Sequence, residues 1–236
     1  MINNTLVVIP ARGGSKGVPK KNSRPLAGKP LIVHTTDLAR QLFSDHDICV
    51  STDSPEIKRI VENTGLPVPF VRPKHLATDT ASTRDVLLHA IDYYRSEGLR
   101  RYDKILLLQP TSPFRTTKQI TEAVALFSAN VVDMVVSVTE ARENPYYTLF
   151  EMNTQGYLTK SKSSHFSRRQ DCPTVFHLNG SIYVINEQSI VQSDISEFKK
   201  VVPYSMNELY SIDIDTELDW KVAEVVYQML HGDQPT

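Results

Sequence analysis

The sequence predicts an α/β fold, a doubly wound and mainly parallel sheet that carries a small inserted arm. Three observations predict it. Short unbroken apolar runs recur along the chain, helical patterns lie between them, and the alternation breaks down in one stretch from about 140 to 183. Apolar runs without a polar alternation read as strands buried on both faces, as in a parallel sheet. Strand and helix in strict alternation give the doubly wound order, in which ligands bind beyond the carboxyl ends of the strands.

The first strand is expected at Leu6 to Ile9 and the first helix at Leu31 to Leu42. A weaker strand follows at Ile48 to Val50, and Ser54-Pro55-Glu56 opens a second helix with a cap residue, a proline at the first helical position and an early acid. Further helices are expected at Thr83 to Tyr94 and Gln119 to Phe127, around the strand Ile105 to Leu108 and before the strand Met134 to Val138. In the arm, Tyr147 to Met152 and Gly156 to Lys160 read as short strands around the turn Asn153-Thr154-Gln155-Gly156, with a polar loop behind them. So thin an arm has little core of its own, and a partner subunit is the expected support. The last helix, Thr216 to Leu230, places Leu218, Val222, Val225, Val226 and Met229 on one stripe, with Thr216 and Asp219 spaced as a capping box. No internal repeat or linker divides the chain, so residues 1–236 are expected to form one domain with the arm inserted at about 140–183.

Composition narrows the function classes. With 236 residues, 40% apolar and 22% charged, the chain can bury a sizeable core. Twenty-six Lys and Arg against 27 Asp and Glu leave a net charge of -1, which removes the bulk electrostatic case for a nucleic-acid binder. Cys49 and Cys172 cannot make a disulfide framework, and Cys49, within Ile48-Cys49-Val50, reads as a small buried thiol in a reducing compartment. The apolar start Leu6 to Ile9 is too short for a signal peptide, and no run approaches the roughly 18 apolar residues of a membrane span. A cytoplasmic protein with no membrane partner is expected.

Chemistry concentrates behind the first strand. Residues Arg12 to Asn22, Arg-Gly-Gly-Ser-Lys-Gly-Val-Pro-Lys-Lys-Asn, hold three glycines and four cations. Glycines let backbone N–H groups curl round an anion, and Arg12, Lys16 and Lys21 can neutralise phosphate oxygens, so the loop suits a polyphosphate. Neither the Walker spacing nor Gly-x-Gly-x-x-Gly is present, so the loop supports neither an ATPase nor a dinucleotide oxidoreductase. Gln109 ends the most hydrophobic strand, and Pro110 stops its ladder, which aims a polar amide into the ligand crevice. In Ile212-Asp213-Ile214-Asp215 a short strand would put both carboxylates on one face, a pair of hard oxygen ligands suited to magnesium.

With these blocks in view, the sequence resembles the acylneuraminate cytidylyltransferases, or CMP-sialic acid synthetases. The resemblance runs in order through Ile9 to Gly17 with Lys21-Asn22, Arg72-Pro73, Leu76 to Thr83, Leu108 to Arg115, Arg169 to Pro173, Asn179 to Tyr183 and Ile212 to Asp215. It implies a nucleotide-diphospho-sugar transferase-like fold and a homodimer with shared active sites. It also implies a magnesium-dependent reaction of CTP with a nine-carbon α-keto acid sugar, giving a CMP-sugar and pyrophosphate. By position, Arg12, Lys16 and Lys21 would hold the triphosphate with Ser15 and Asn22. Lys21 is the expected main catalytic cation, seconded by Arg12, and Lys20 is expected to face away. Arg72, Ser82 and Thr83 match the cytidine-binding region, and Ser82 or Thr83 would also cap the helix that follows. Gln109, Arg169, Asn179 and Tyr183 match the sugar side, with Arg169 on the sugar carboxylate. Asp213 and Asp215 match the metal ligands. None of the seven histidines stands out as a general base. The alternatives are a CMP-Kdo synthetase, a glycosyltransferase or a non-catalytic nucleotide-binding protein.

Overall fold

The computed structural model describes residue 2 and residues 4–98 and 101–232. Strand β1 spans Thr5–Pro10, and a two-rung hairpin of β2 (Pro25–Leu26) and β3 (Lys29–Pro30) leads into α1 (Leu31–Arg40). That hairpin turns on Ala27 and Gly28, whose φ angles of 50° and 80° are the pair that a tight primed turn requires. Then come β4 (Ile48–Ser51), α2 (Pro55–Glu62), α3 (Thr83–Ser96), β5 (Lys104–Leu107), α4 (Thr117–Ser128) and β6 (Met134–Glu140). The arm hairpin of β7 (Phe150–Met152) and β8 (Leu158–Lys160) precedes β9 (Phe176–Asn186), α5 (Glu187–Gln192), β10 (Val201–Ser205) and α6 (Glu217–His231).

Six strands form the main sheet in the order β10-β6-β9-β5-β1-β4. Every neighbouring pair is parallel except those of β9, which runs antiparallel to both β5 and β6. In β1, Val7 and Ile9 turn towards α1, α2 and α4, where Ile32, Ile57, Val61, Ile120 and Phe127 close one half of the core. Leu6 and Val8 turn the other way, onto Leu87, Ala90, Ile91 and Tyr94 of α3 and Ile190 of α5. Both faces of the sheet are therefore buried, which is why its strands read as unbroken apolar runs. The chain leaves β1 for β4 on one side and returns to β5 on the other. The crevice beyond the carboxyl ends of β1 and β5 is thus the topological switch point of the sheet.

Three expectations are corrected. The arm ends sooner than residue 183, because β9 begins at Phe176 and belongs to the main sheet. Asp213 and Asp215 lie in an extended segment without a strand, held by a bond from the Ile214 N–H to the Thr111 carbonyl at 2.9 Å. Finally, α6 turns a different face inward. Trp220, Ala223 and Val226 are buried against Val18, Leu26, Leu31, Phe114 and Ile214, whereas Leu218, Val222, Val225 and Met229 are exposed. Trp220 is the largest side chain on the buried face, and its burial, about 200 Å² at about 25 cal/mol per Å², is worth roughly 5 kcal/mol. The capping box of Thr216 and Asp219 forms as expected. Cys49 is fully buried, and burial pushes its thiol well above the ordinary range. Among the described residues no helix is long and apolar enough to cross a membrane.

Candidate active site at the carboxyl ends of β1 and β5

A cavity of about 350 Å³ opens at the switch point and brings together Arg12, Ser15, Lys21, Asn22, Arg72, Ser82, Thr83 and Gln109. These eight residues come from the first loop, the stretch after Arg72, the entry of α3 and the end of β5. They meet because parallel strands deliver their following loops to one edge. At the base, Arg72 is buried, donating Nη2 to the Ser51 carbonyl at 2.8 Å and Nη1 to the Leu76 carbonyl at 3.3 Å. Its Nε has no partner, and burial lowers its pKa against the opposing pull of Asp53. Asn22 is buried beside it, its Nδ2 donating to the Arg12 carbonyl at 3.0 Å and its Oδ1 unpartnered. Buried polar atoms left open cost free energy unless something binds them, so this base is built for a polar ligand.

At the mouth, Arg12 and Lys16 both pair with the Asp79 carboxylate, at 2.6 and 2.5 Å, and those two cations hold its pKa below the usual carboxylate range. Lys16 is at the rim, highly exposed. Lys20 turns away to Glu56 on α2, at 3.4 Å. Lys21 is largely buried, its ammonium donating to the Ile214 carbonyl at 2.5 Å and to Asp215 at 2.9 Å, so it welds the first loop to the acidic segment.

The loop's glycines work differently from the expected anion cradle. Gly13 donates its N–H to Asp53 at 2.9 Å, and none of Gly13, Gly14 and Gly17 has a positive φ. Gly17 is required for close approach, since a Cβ there would sit 1.9 Å from the Asp215 carbonyl oxygen. Ser82 spends its hydroxyl capping α3, accepting from the Asp85 N–H at 3.1 Å, and Thr83 begins the helix beside it at the cavity wall.

A second cavity of about 600 Å³ adjoins the first and shares Ser82, Thr83, Leu107 and Gln109 with it. Tyr183 lines it together with Leu178, Ile195 and Phe198, and burial followed by the charge of Asp213 raises its phenol pKa. Between the cavities lies the bulge of β9 at Gly180, with φ 71°. A Cβ on Gly180 would come within 2.9 Å of Gln109 Oε1 and 3.2 Å of Asp213 Oδ2, so only glycine lets those two oxygens converge. Asp213 accepts from the Thr111 side chain, yet desolvation, with the charge of Asp215 added, raises its pKa.

Two expected sugar residues are not brought to this cleft. Asn179 is buried and spent: its Oδ1 accepts from Ser137 Oγ at 2.5 Å and from the Ser181 N–H at 3.2 Å, and its Nδ2 donates to Ser211 Oγ at 2.8 Å. It braces the bulge from behind. Arg169 lies on the exposed arm, in a short turn beside the Arg168–Asp171 ion pair. Residue-by-residue reading missed Thr111, and it placed Gly180 in the floor of the sugar pocket and Asp79 in the cytidine region without the close approach and the double ion pair that they make here. All three lie inside the sequence blocks quoted above, but their roles depend on loops meeting across the cleft.

Comparison with known proteins gives this cleft a family. The cytidylyltransferase family profile matches residues 6–230. A CMP-N,N'-diacetyllegionaminic acid synthase of Legionella pneumophila is 36% identical over 231 residues, covering 95% of this chain and 96% of its own. An N-acylneuraminate cytidylyltransferase of Streptococcus agalactiae is 35% identical over 219 residues, 91% of this chain but 51% of that longer one. Among solved structures, a CMP:2-keto-3-deoxy-manno-octonic acid synthetase complexed with CTP superposes with a TM-score of 0.71 at 17% identity, over 97% of this chain and 100% of that one, a likeness of fold. The mainly parallel sheet, the cleft at its switch point and a profile match over nearly the whole chain agree: this chain belongs to the cytidylyltransferase family.

Proposed function

We propose that the protein activates a nonulosonic acid, a nine-carbon α-keto acid sugar, with CTP, yielding the CMP-sugar and pyrophosphate. The observation that carries this reading is the pair of adjoining cavities joined at Gln109, one walled by cations and unpartnered buried polar atoms, the other by Tyr183 and apolar side chains. The first fits a nucleoside triphosphate and the second an acylated sugar. The two relatives, a CMP-N,N'-diacetyllegionaminic acid synthase and an N-acylneuraminate cytidylyltransferase, support that class.

In this reading the anomeric C2 hydroxyl of the sugar attacks the α-phosphorus in line. The bond from that phosphorus to the bridging oxygen of the β-phosphate breaks, pyrophosphate leaves with the electron pair, and the hydroxyl proton passes to solvent. Arg12 and Lys16 exchange Asp79 for phosphate oxygens, while Ser15 and Asn22 bind beside them. Lys21, nearly fixed by its contacts to Ile214 and Asp215, stabilises charge developing on the leaving group without reorganising. Arg72, with Ser82 and Thr83, holds the cytidine, and Gln109 and Tyr183 face the sugar.

The acidic pair fits a magnesium ion. Asp213 and Asp215 are hard oxygen donors: Asp213 Oδ2 converges with Gln109 Oε1 on Gly180, and Asp215 pairs with Lys21 of the first cavity. Magnesium bound there would stabilise the phosphoryl oxygens and acidify the attacking hydroxyl. Arg169 and the arm complete the proposal. With Met152, Tyr157 and Leu158 among its exposed apolar side chains, the arm is suited to pack on a second copy, bringing Arg169 to the sugar carboxylate of the partner's site in a homodimer. Two free thiols and the use of CTP fit a cytoplasmic setting.

The test is pyrophosphate release with CTP against a panel of N-acetylneuraminate, its deaminated form, legionaminic and pseudaminic derivatives, and Kdo. Turnover with at least one nine-carbon acid, well above Kdo, is expected. Turnover with Kdo alone would overturn the sugar class, and none with any acid would favour a nucleotide-binding protein or a glycosyltransferase.

A further inference from the structure

Behind the wall between the two cavities lies a cation that the reaction above leaves without a task. Arg115 is 3% exposed. Its Nε donates to Ser181 Oγ at 3.1 Å, its Nη1 to Thr35 Oγ1 at 3.3 Å, and its Nη2 to the backbone carbonyl of Gln109. All three acceptors are neutral, and among the described residues no carboxylate forms an ion pair with it. Burying a charge without a direct ion pair is a net cost to the fold, which the more distant charge of Asp213 offsets only in part, and an apolar side chain of similar volume would be cheaper. Stability alone therefore does not explain an arginine at this position.

The acceptors explain it. They belong to three elements: the turn after β5, the end of the β9 bulge, and α1. Only a planar fork with donors in several directions reaches all of them from one point. From Ser181 the hydrogen bonds run on, its N–H donating to Asn179 Oδ1, which also accepts from Ser137 Oγ, while Ser112 Oγ donates to the Asn179 carbonyl at 3.2 Å. The open face of this buried network is Gly180, against which Gln109 Oε1 and Asp213 Oδ2 converge. Arg115 is the single charge inside the network, and it grips the backbone of the residue whose amide stands at the junction of the cavities.

We propose that Arg115 is a positioning residue for sugar recognition: by clamping the Gln109 carbonyl to β9 and α1, it aims the Gln109 amide at the sugar acid and leaves nucleotide binding unaffected. This rests on the reading of Gln109 as a sugar contact. The nucleotide base is built from Arg72, Asn22, Ser82 and Thr83, none of which bonds to Arg115. The two halves of the site can therefore be perturbed separately.

The experiment compares the parent with Arg115→Met, Arg115→Lys, Gln109→Ala and the double variant Gln109→Ala/Arg115→Met. It reads CTP affinity by calorimetry, and KM for the sugar acid and kcat by pyrophosphate release. Arg115→Met should raise the sugar KM about tenfold while the CTP Kd stays within about twofold. Residues acting through one another are non-additive, so the double variant should be no worse than Gln109→Ala alone. If Arg115→Met fails to fold, Arg115→Lys, one ammonium facing three acceptors, carries the same comparisons with a rise of about threefold. Multiplied defects in the double variant, or a CTP Kd that shifts as far as the sugar KM, would overturn the proposal while leaving Gln109 as a sugar contact. An unchanged sugar KM in Gln109→Ala would overturn the reading of Gln109 itself, and the positioning role with it.

Discussion

Replacing Gly17 by alanine probes the join between the first loop and the acidic segment. A Cβ at Gly17 would lie 1.9 Å from the Asp215 carbonyl oxygen, so loop and segment must part by about 1.5 Å to restore an ordinary contact of 3.4 Å. The segment cannot simply swing aside. Asp215 and Thr216 donate their N–H groups to Asp219 at 3.1 and 2.7 Å, Ile214 donates to the Thr111 carbonyl, and the Ile214 carbonyl accepts from Lys21. The displacement is therefore shared with Lys21 and Asp215. A misplacement near 1 Å costs on the order of 100-fold in rate, and overpacking costs about 1–3 kcal/mol. For a chain of this size each kcal/mol lowers Tm by about 2–4 °C. Steady-state turnover at saturating CTP and sugar acid, with a calorimetric melt, reads both effects. Gly14→Ala is the control, because nothing lies within 4 Å of a Cβ there. Gly17→Ala with turnover within about twofold of the parent would refute the reasoning, since a rigid seam of this geometry cannot absorb the methyl group without moving Lys21, the proposed catalytic cation.

Asp79→Asn removes the carboxylate that occupies Arg12 and Lys16, so CTP should bind several-fold more tightly at low salt by calorimetry; weaker binding would show that Asp79 helps the ligand rather than competing with it. Asp213→Asn should cut turnover by a hundredfold or more, on the order of what losing a metal ligand's charge costs, with CTP affinity without metal little changed. Near-parental turnover at limiting Mg²⁺ would remove it from the ligand set. Co-refolding inactive Lys21→Ala and inactive Arg169→Ala chains tests the shared site: random pairing makes about half the dimers mixed, each with one intact site, so roughly a quarter of parental activity should return. No recovery after confirmed subunit exchange would place both residues in one chain's site.

The parts of the fold visible in the sequence are those whose burial is simple. β1, β5 and β6 announce themselves as unbroken apolar runs because both faces of the sheet are covered. What stayed hidden has a physical reason in each case. β9 carries Asn179-Gly180 in its middle, a pair that reads as a loop, because its bulge needs a positive φ there. β10 contains Pro203, which is tolerated because the strand lies at the sheet edge. In α6 apolar residues occupy two faces, and the periodicity of Leu218, Val222, Val225 and Met229 gives no weight to the size of Trp220.

Within the site, the sequence located the loops but misjudged what some residues do there. Gly17 and Gly180 are glycines because backbone or side-chain oxygens from remote segments press against them, a requirement that spacing along the chain cannot express. Asn179 looked like a ligand group and is an internal brace, whereas Arg115 closed a quoted motif and drew no role at all. The pattern has a common cause. A residue facing the ligand and a residue holding that one in place have the same chemistry in the sequence, and only the count of partners separates them. Asn22 and Arg72 keep buried atoms unpartnered, as a binding surface must, while Asn179 and the donors of Arg115 are spent within the protein. On that criterion the proposed nucleotide side of the cleft is the one that keeps buried polar atoms open. The proposed sugar side is held by a hydrogen-bonded network one layer deeper, so on that proposal its selectivity should respond to substitutions that no sugar atom touches.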